Sequence, residues 1–200
     1  MGNPAIKAGN VTLLRGVPLD EATYDTCRDL LRPPEGKMET HRVLGISLIH
    51  GPDHCLDRWG PALRDGVDES VVIAPQTTTR SAAAAGADAT SPGESTEHVS
   101  LDAPTNIPHL GSRITDVLYR WEDDASISVC LDSLTALLQA HPTSTVSQFV
   151  QVLRSHLLEL DAAAHCHVDP TAHDDQTVAK LTTSFDEVVD ARDEMVGPLK

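Results

Sequence analysis

Polar and apolar positions along this chain follow two periods in turn. Short runs of β-formers are continuous enough to be strands buried on both faces: "NVTLL" from residue 10, "RVLGISLI" from 42, "SVVIA" from 70, "ASISVCLD" from 125 and "AAAHCHVD" from 162. "EHVSL" from 97 reads as a shorter strand. Between them the apolar residues recur at helical spacing. A helix is predicted from Asp20, a good N-cap, to Leu31, and another after "HGPD" with Leu56, Trp59 and Leu63 on one face. Leu110, Ile114, Val117, Leu118 and Trp121 predict a third. The strongest amphipathic pattern runs from Thr143, where Val146, Phe149, Val150, Leu153, Leu157 and Leu160 make a stripe that must cover a sheet. "PTAHDD" reads as a turn, "QTVAKLTTS" as a short helix, and "FDEVVDAR" fits either its continuation or a final strand.

Strands alternating with helices are the signature of βαβ units. The expected fold is therefore a single α/β domain over residues 1–200, with a mainly parallel central sheet flanked by helices. Residues 77–96, "TTTRSAAAAGADATSPGEST", show no sustained apolar period and are expected to form a loop. No internal repeat is present, and 200 residues suffice for one substantial core.

Composition narrows the function. The chain carries 30 acidic against 15 basic residues, a formal charge of −15, with Asp about twice as frequent as Glu and lysine only at 7, 37, 180 and 200. Carboxylates keep a surface hydrated where lysine stems would add flexible apolar area, so the balance fits a salt-rich cytoplasm; an ordinary acidic cytosolic protein is the plainer alternative. Such a charge opposes attraction to phosphate backbones, and no basic stripe with interleaved aromatics appears, so nucleic acid is not an expected partner. No run approaches the roughly 18 apolar residues of a membrane helix. "MGNPAIKAGN" lacks the features of a signal peptide and of a myristoylation signal, and the expected location is cytoplasmic. Cys27, Cys55, Cys130 and Cys166 form no CxxC pair and are expected to be reduced, mostly buried thiols.

Two stretches invite a chemical reading. In "SISVCLDSLTALL", residues 126–138, an apolar strand delivers Asp132 at its carboxyl end with Ser133 next, the geometry by which a carboxylate holds a magnesium-bound water. A strand whose terminal Asp caps the next helix gives nearly the same pattern. With "RVLGISLIHGPDHCLDRW" and "AHCHVDPTAHDDQTV" in matching order, the chain from about Asn10 to Arg192 resembles the RecA/KaiC-like branch of P-loop ATPases. The acidic composition makes it similar to degenerate members in halophilic archaea. The resemblance implies a RecA-like core, an ATP and magnesium site, and assembly through subunit interfaces.

The departures from the pattern bear on activity. A phosphate loop reads GxxxxGK[ST], with backbone N–H groups cradling phosphates and the lysine neutralising them. The matching "GVPLDEAT" keeps Gly16 and Thr23 but has Glu21 and Ala22 where Gly and Lys belong, and Pro18 removes an N–H donor. His50 and Gly51 stand where the family places acidic residues that activate water. Gly16, Thr23, Asp132 and Ser133 are thus a vestigial nucleotide site, with no catalytic residue assigned and neither ATP nor magnesium expected as a working cofactor. Arg15 is the nearest basic residue that could replace the lysine, and on that alternative the chain binds nucleotide and hydrolyses it slowly.

The second stretch is "HCHVDPTAHDD". On a strand His165, His167 and Asp169 share a face, and His173 could fold back across the turn to complete a divalent-metal site. The spacing matches no standard zinc motif. The ordinary account has hydrogen-bonded imidazoles near a strand end, a turn at Asp169 and Pro170, and Asp174 capping a helix. No GxSxG elbow surrounds Ser133, and Cys166 points away from its histidine neighbours, so nucleophilic catalysis has no support. Trp59 and Trp121 belong to apolar helix faces and are expected in the core. The leading reading is an inactive P-loop-derived domain that acts through protein contacts, in a homo-oligomer or with another protein; a weak ATPase and a metal-binding module are the alternatives.

Overall fold

The computed structural model describes residues 9–18, 20–32, 40–60, 62–63, 66–76, 96–121 and 125–191. Its elements in chain order are β1 (Val11–Arg15), α1 (Glu21–Leu30), β2 (His41–Ser47), α2 (Pro52–Trp59), β3 (Glu69–Ala74), β4 (Thr96–Ser100), α3 (Ile107–Arg120), β5 (Ser126–Asp132), α4 (Leu134–Ala140), α5 (Thr143–Glu159), β6 (Ala163–Val168), α6 (Asp175–Thr182) and β7 (Glu187–Asp190). One seven-stranded sheet has the order β4-β3-β2-β5-β6-β1-β7, and every pairing is parallel. The expected α/β architecture is what forms.

The strands alternate their side chains between two apolar layers, which is why they read as unbroken apolar runs. Leu13, Leu44, Ile46, Val129, Leu131 and Cys166 face the layer formed with α3, α4, α5 and α6, where Leu110, Ile114, Val150 and Leu157 are fully or almost fully buried. Leu14, Val43, Val72 and Cys130 face the other layer, closed by Cys27 and Leu30 of α1 and by Cys55 and Trp59 of α2. Gly45 makes room for α2: a β-carbon there would lie 2.5 Å from Cζ3 of Trp59.

Several elements differ in detail from the periodic pattern. β2 ends at Ser47, two residues before the apolar run does, because the Ser47 hydroxyl accepts the N–H of His50 at 2.9 Å and turns the chain. A further helix, α4, starts straight after Ser133 and buries Leu134 and Leu137. "FDEVVDAR" becomes the edge strand β7, drawn beside β1 because the Asp186 N–H donates to the Val11 carbonyl while its carboxylate accepts the Val11 N–H at 3.0 Å. The same carboxylate pairs with Arg154 of α5. Leu63 lies past the end of α2 yet is buried. The loop expected at 77–96 falls outside the described residues except for Thr96, the first residue of β4.

His41 carries a pH dependence. It is 3% exposed at the start of β2, and its Nε2–H donates to the Leu31 carbonyl at 3.1 Å. Burial pushes its pKa below the ordinary histidine value, against the opposing pull of its backbone partners Leu31 and Ser126 and of Asp68. The unfolded chain therefore takes up a proton that the folded chain refuses. The associated stability is present above about pH 6.5 and is lost as the pH falls through the depressed folded value. Urea denaturation from pH 7.5 to 5 is expected to show falling stability, with a shallower slope in His41→Gln, which keeps a donor for Leu31.

Candidate functional site

Parallel α/β sheets bind ligands at the carboxyl ends of their strands, where loops diverge. That edge holds a narrow crevice. It is lined by Gly16, Pro18, Thr23 and Tyr24 after β1, Ile49 and His50 after β2, Asp132 and Ser133 after β5, and His167, Val168 and Asp169 at the end of β6. Gly16, Thr23, Asp132 and Ser133, proposed from sequence as one site, thus come together although 117 positions separate the first from the last.

The loop that would cradle phosphate is folded onto itself. The Gly16 N–H donates to the Val168 carbonyl at 3.1 Å, and the Asp20 N–H to the Val17 carbonyl at 3.3 Å. The Thr23 hydroxyl, which a P-loop would turn to magnesium, donates to the Val17 carbonyl at 3.1 Å. It packs so close to Gly16 that a β-carbon on that residue would collide with it. The crevice has a volume of about 20 Å³, room for about one water. At the start of α1, Asp20 is the N-cap and Glu21 lies in the first turn, so carboxylates occupy the helix end that would otherwise attract phosphate. These residues do not fit a triphosphate.

The other residues singled out from sequence are engaged elsewhere. Arg15 forms a two-pronged ion pair with Asp190 at 2.7 Å on both bonds, which raises its pKa and commits it to β7. At the place where the resemblance implies an acidic pair, His50 stacks on His54 with ring centroids 4.0 Å apart. Burial, with His50 and Arg58 nearby, holds the His54 pKa down against the pull of Asp132 and Asp57. The Asp132 carbonyl accepts the Leu48 N–H at 2.7 Å, locking β2 to β5 at their ends. Ser133 is the N-cap of α4 without a side-chain bond, and its hydroxyl is buried with no partner among the described residues.

The histidine stretch divides. His165 and His167 lie side by side on β6, ring centroids 5.3 Å apart, and both are buried. Asp169 turns away and accepts the N–H and hydroxyl of Thr171, at 2.8 and 2.7 Å, opening a one-turn 3-10 helix over Pro170–Ala172. His173 ends that turn, and Asp174 caps α6 through the Thr177 N–H at 2.8 Å. His165 and His167 instead meet two thiols absent from the sequence-derived set, Cys27 of α1 and Cys130 of β5. Alternation along "SISVCLD" puts Cys130 on the Asp132 face; nothing in the sequence says which strand that face lies beside.

The model of a family of unknown function, DUF7504, matches residues 9–191. The chain belongs to that family. No curated protein matches this DUF7504 chain. Among solved structures, a Pyrococcus horikoshii OT3 protein studied as PH0250 superposes with a TM-score of 0.55 at 10% identity, over 94% of this chain and 84% of its own. A second solved structure, an ATPase domain, superposes with a TM-score of 0.51 at 14% identity, over 92% of this chain and 69% of its own. The DUF7504 chain therefore has the fold of a RecA-like ATPase domain. Among its described residues no helix is long and apolar enough to cross a membrane.

Proposed function

We propose that this DUF7504 domain is a P-loop-derived fold that no longer hydrolyses nucleotide and acts through protein contacts, in a regulatory or signalling role. The observation that carries the reading is the closed phosphate loop: Thr23 is spent on the Val17 carbonyl, and about 20 Å³ is left between Gly16, Asp132 and His167. The absent lysine and catalytic carboxylate support it independently, since each would supply charge stabilisation whose loss lowers rates by orders of magnitude.

The contact half of the reading is supported by exposed apolar surface. A groove of about 330 Å³ runs between α3 and α5, floored by Ile114, Leu118, Phe149 and Leu153, and Val152 on its wall is 53% exposed. Its apolar lining makes it a candidate contact surface. We assign it to a protein partner, either a second copy of this chain or another protein, since high salt screens the repulsion between like-charged surfaces. The excess of 30 acidic over 15 basic residues supports a salt-rich cytoplasm as the setting.

Calorimetric titration of ATP and ADP with magnesium, in high-potassium buffer, tests the first half. No binding heat is expected at millimolar nucleotide. Magnesium-dependent binding that disappears in Asp132→Ala would overturn the reading and establish the weak-ATPase alternative as the question to pursue.

A further inference from the structure

The layer between α1 and the sheet contains an unusual set of core residues. Cys27 on α1, Cys130 on β5, and His165 and His167 on β6 are all buried, and one sulfur or nitrogen atom from each lies within 4.8 Å of all the others. Cys130 and His165 are register partners on adjacent parallel strands, and period-two alternation brings His167 to the same face while sending Cys166 to the other. Cys27 descends onto these three from the helix above.

Three of the six donor–donor spacings are close to those of one coordination sphere, and all six are within 4.8 Å. Zinc bonds of about 2.3 Å to sulfur and 2.0–2.1 Å to nitrogen in a tetrahedron require edges of about 3.8 Å between two sulfurs and about 3.5 Å between sulfur and nitrogen. Cys27 Sγ lies 3.7 Å from Cys130 Sγ and 3.2 Å from His165 Nε2, and Cys130 Sγ lies 3.5 Å from His167 Nε2.

The four donors lie in a polar part of the core, beside buried atoms that an ion on the sulfurs and Nε2 atoms would not itself reach. His165 Nδ1, the Thr12 hydroxyl and the Ser128 hydroxyl are buried with no hydrogen-bond partner among the described residues, and Thr12 is the register partner of His165 on β1. Unpaired buried polar atoms cost free energy that a well-packed apolar layer would avoid. The opposite face of β6 shows the contrast, with Ala164, Cys166 and Val168 joining a continuous apolar core.

We propose that Cys27, Cys130, His165 and His167 form a closed structural site for a zinc ion. Two thiolates balance the charge of the dication, so the filled site is neutral and suits a dry layer, and two neutral imidazoles complete a tetrahedron with no open position. Binding releases the two thiol protons to solvent. The ion ties α1 to β5 and β6, directly beneath the crevice in which His167 also forms part of the wall. The site stands on its own donor atoms and does not depend on what the crevice binds.

The experiment uses the whole chain, produced in zinc-supplemented medium, purified without a metal-affinity tag and dialysed. Elemental analysis is expected to find about one zinc per chain, and zinc added back to stripped protein is expected to raise Tm. Cobalt(II) in the stripped protein is expected to give an intense thiolate charge-transfer band and tetrahedral ligand-field bands, bleached by zinc. Cys27→Ala and Cys130→Ala should each lose the metal, while Cys166→Ala, an equally buried cysteine on the other face, should keep it. Should the two loss variants fail to fold, the cobalt spectrum of the unaltered chain decides. Absence of both zinc and the charge-transfer band, with four free thiols on denaturation, overturns the proposal. So does a Cys27–Cys130 disulfide, seen as two missing thiols, or metal retained in both loss variants.

Discussion

Trp59→Ala is expected to cost about 3–5 kcal/mol, a large share of the roughly 5–15 kcal/mol that holds a domain of this size together. Trp59 is 2% exposed and closes the layer over Gly45, which has no side chain of its own to fill the space. Truncating the indole leaves a cavity that the rigid strand β2 cannot collapse into, since β2 is held on both sides by β3 and β5. The pair should also be coupled. Gly45→Ala in the unaltered chain is expected to cost about 1–3 kcal/mol, because its β-carbon drives into the ring. In the Trp59→Ala background the same change should cost little or gain stability, as the methyl enters vacated space. Urea denaturation of the two single variants and the double variant forms the cycle; strict additivity would show that the two residues do not share that space.

Trp121→Ala, on the other side of the sheet, is expected to cost a similar amount, about 3–5 kcal/mol. The ring terminates α3 and is 1% exposed in the larger apolar layer. Its Nε1–H is buried without a partner among the described residues, so part of its contribution is offset by an unmade hydrogen bond. Trp121→Phe should therefore recover most of the loss, since it keeps much of the buried area and removes the orphaned donor. Arg42 lies 6.0 Å from the ring centroid, at the edge of cation–π range, and phenylalanine retains an aromatic face for it. Thermal unfolding of the three proteins side by side makes the check, and equal destabilisation by Phe and Ala would show that the indole N–H is satisfied.

Neither tryptophan lines the crevice, so these core variants leave the phosphate loop's own contacts in place. The Thr23 hydroxyl bond to the Val17 carbonyl is expected to persist in both.

What the sequence by itself determined was whatever rests on local period and on the chemistry of single side chains. Alternating strands and helices specified a parallel α/β sheet because each element buries its own apolar face whichever neighbour it finds. The long helix over Thr143–Glu159 was legible from its stripe alone. That "GVPLDEAT" has Glu21 and Ala22 rather than the glycine and lysine of a phosphate clamp was equally plain, because such a clamp needs those residue types in any fold.

Strand order and register belonged to the tertiary structure. "HCHVDPTAHDD" suggested one ligand set because its residues are close in sequence, but the Asp169 carboxylate accepts from Thr171 at the start of the one-turn helix while the two imidazoles meet thiols. Cys27 and Cys130 reach them from 138 and 35 positions before His165, which requires β5 to lie beside β6 and α1 to cross above both. No local pattern encodes such a meeting. It follows from how the whole chain minimises exposed apolar surface, and the same packing leaves the crevice only enough room for about one water.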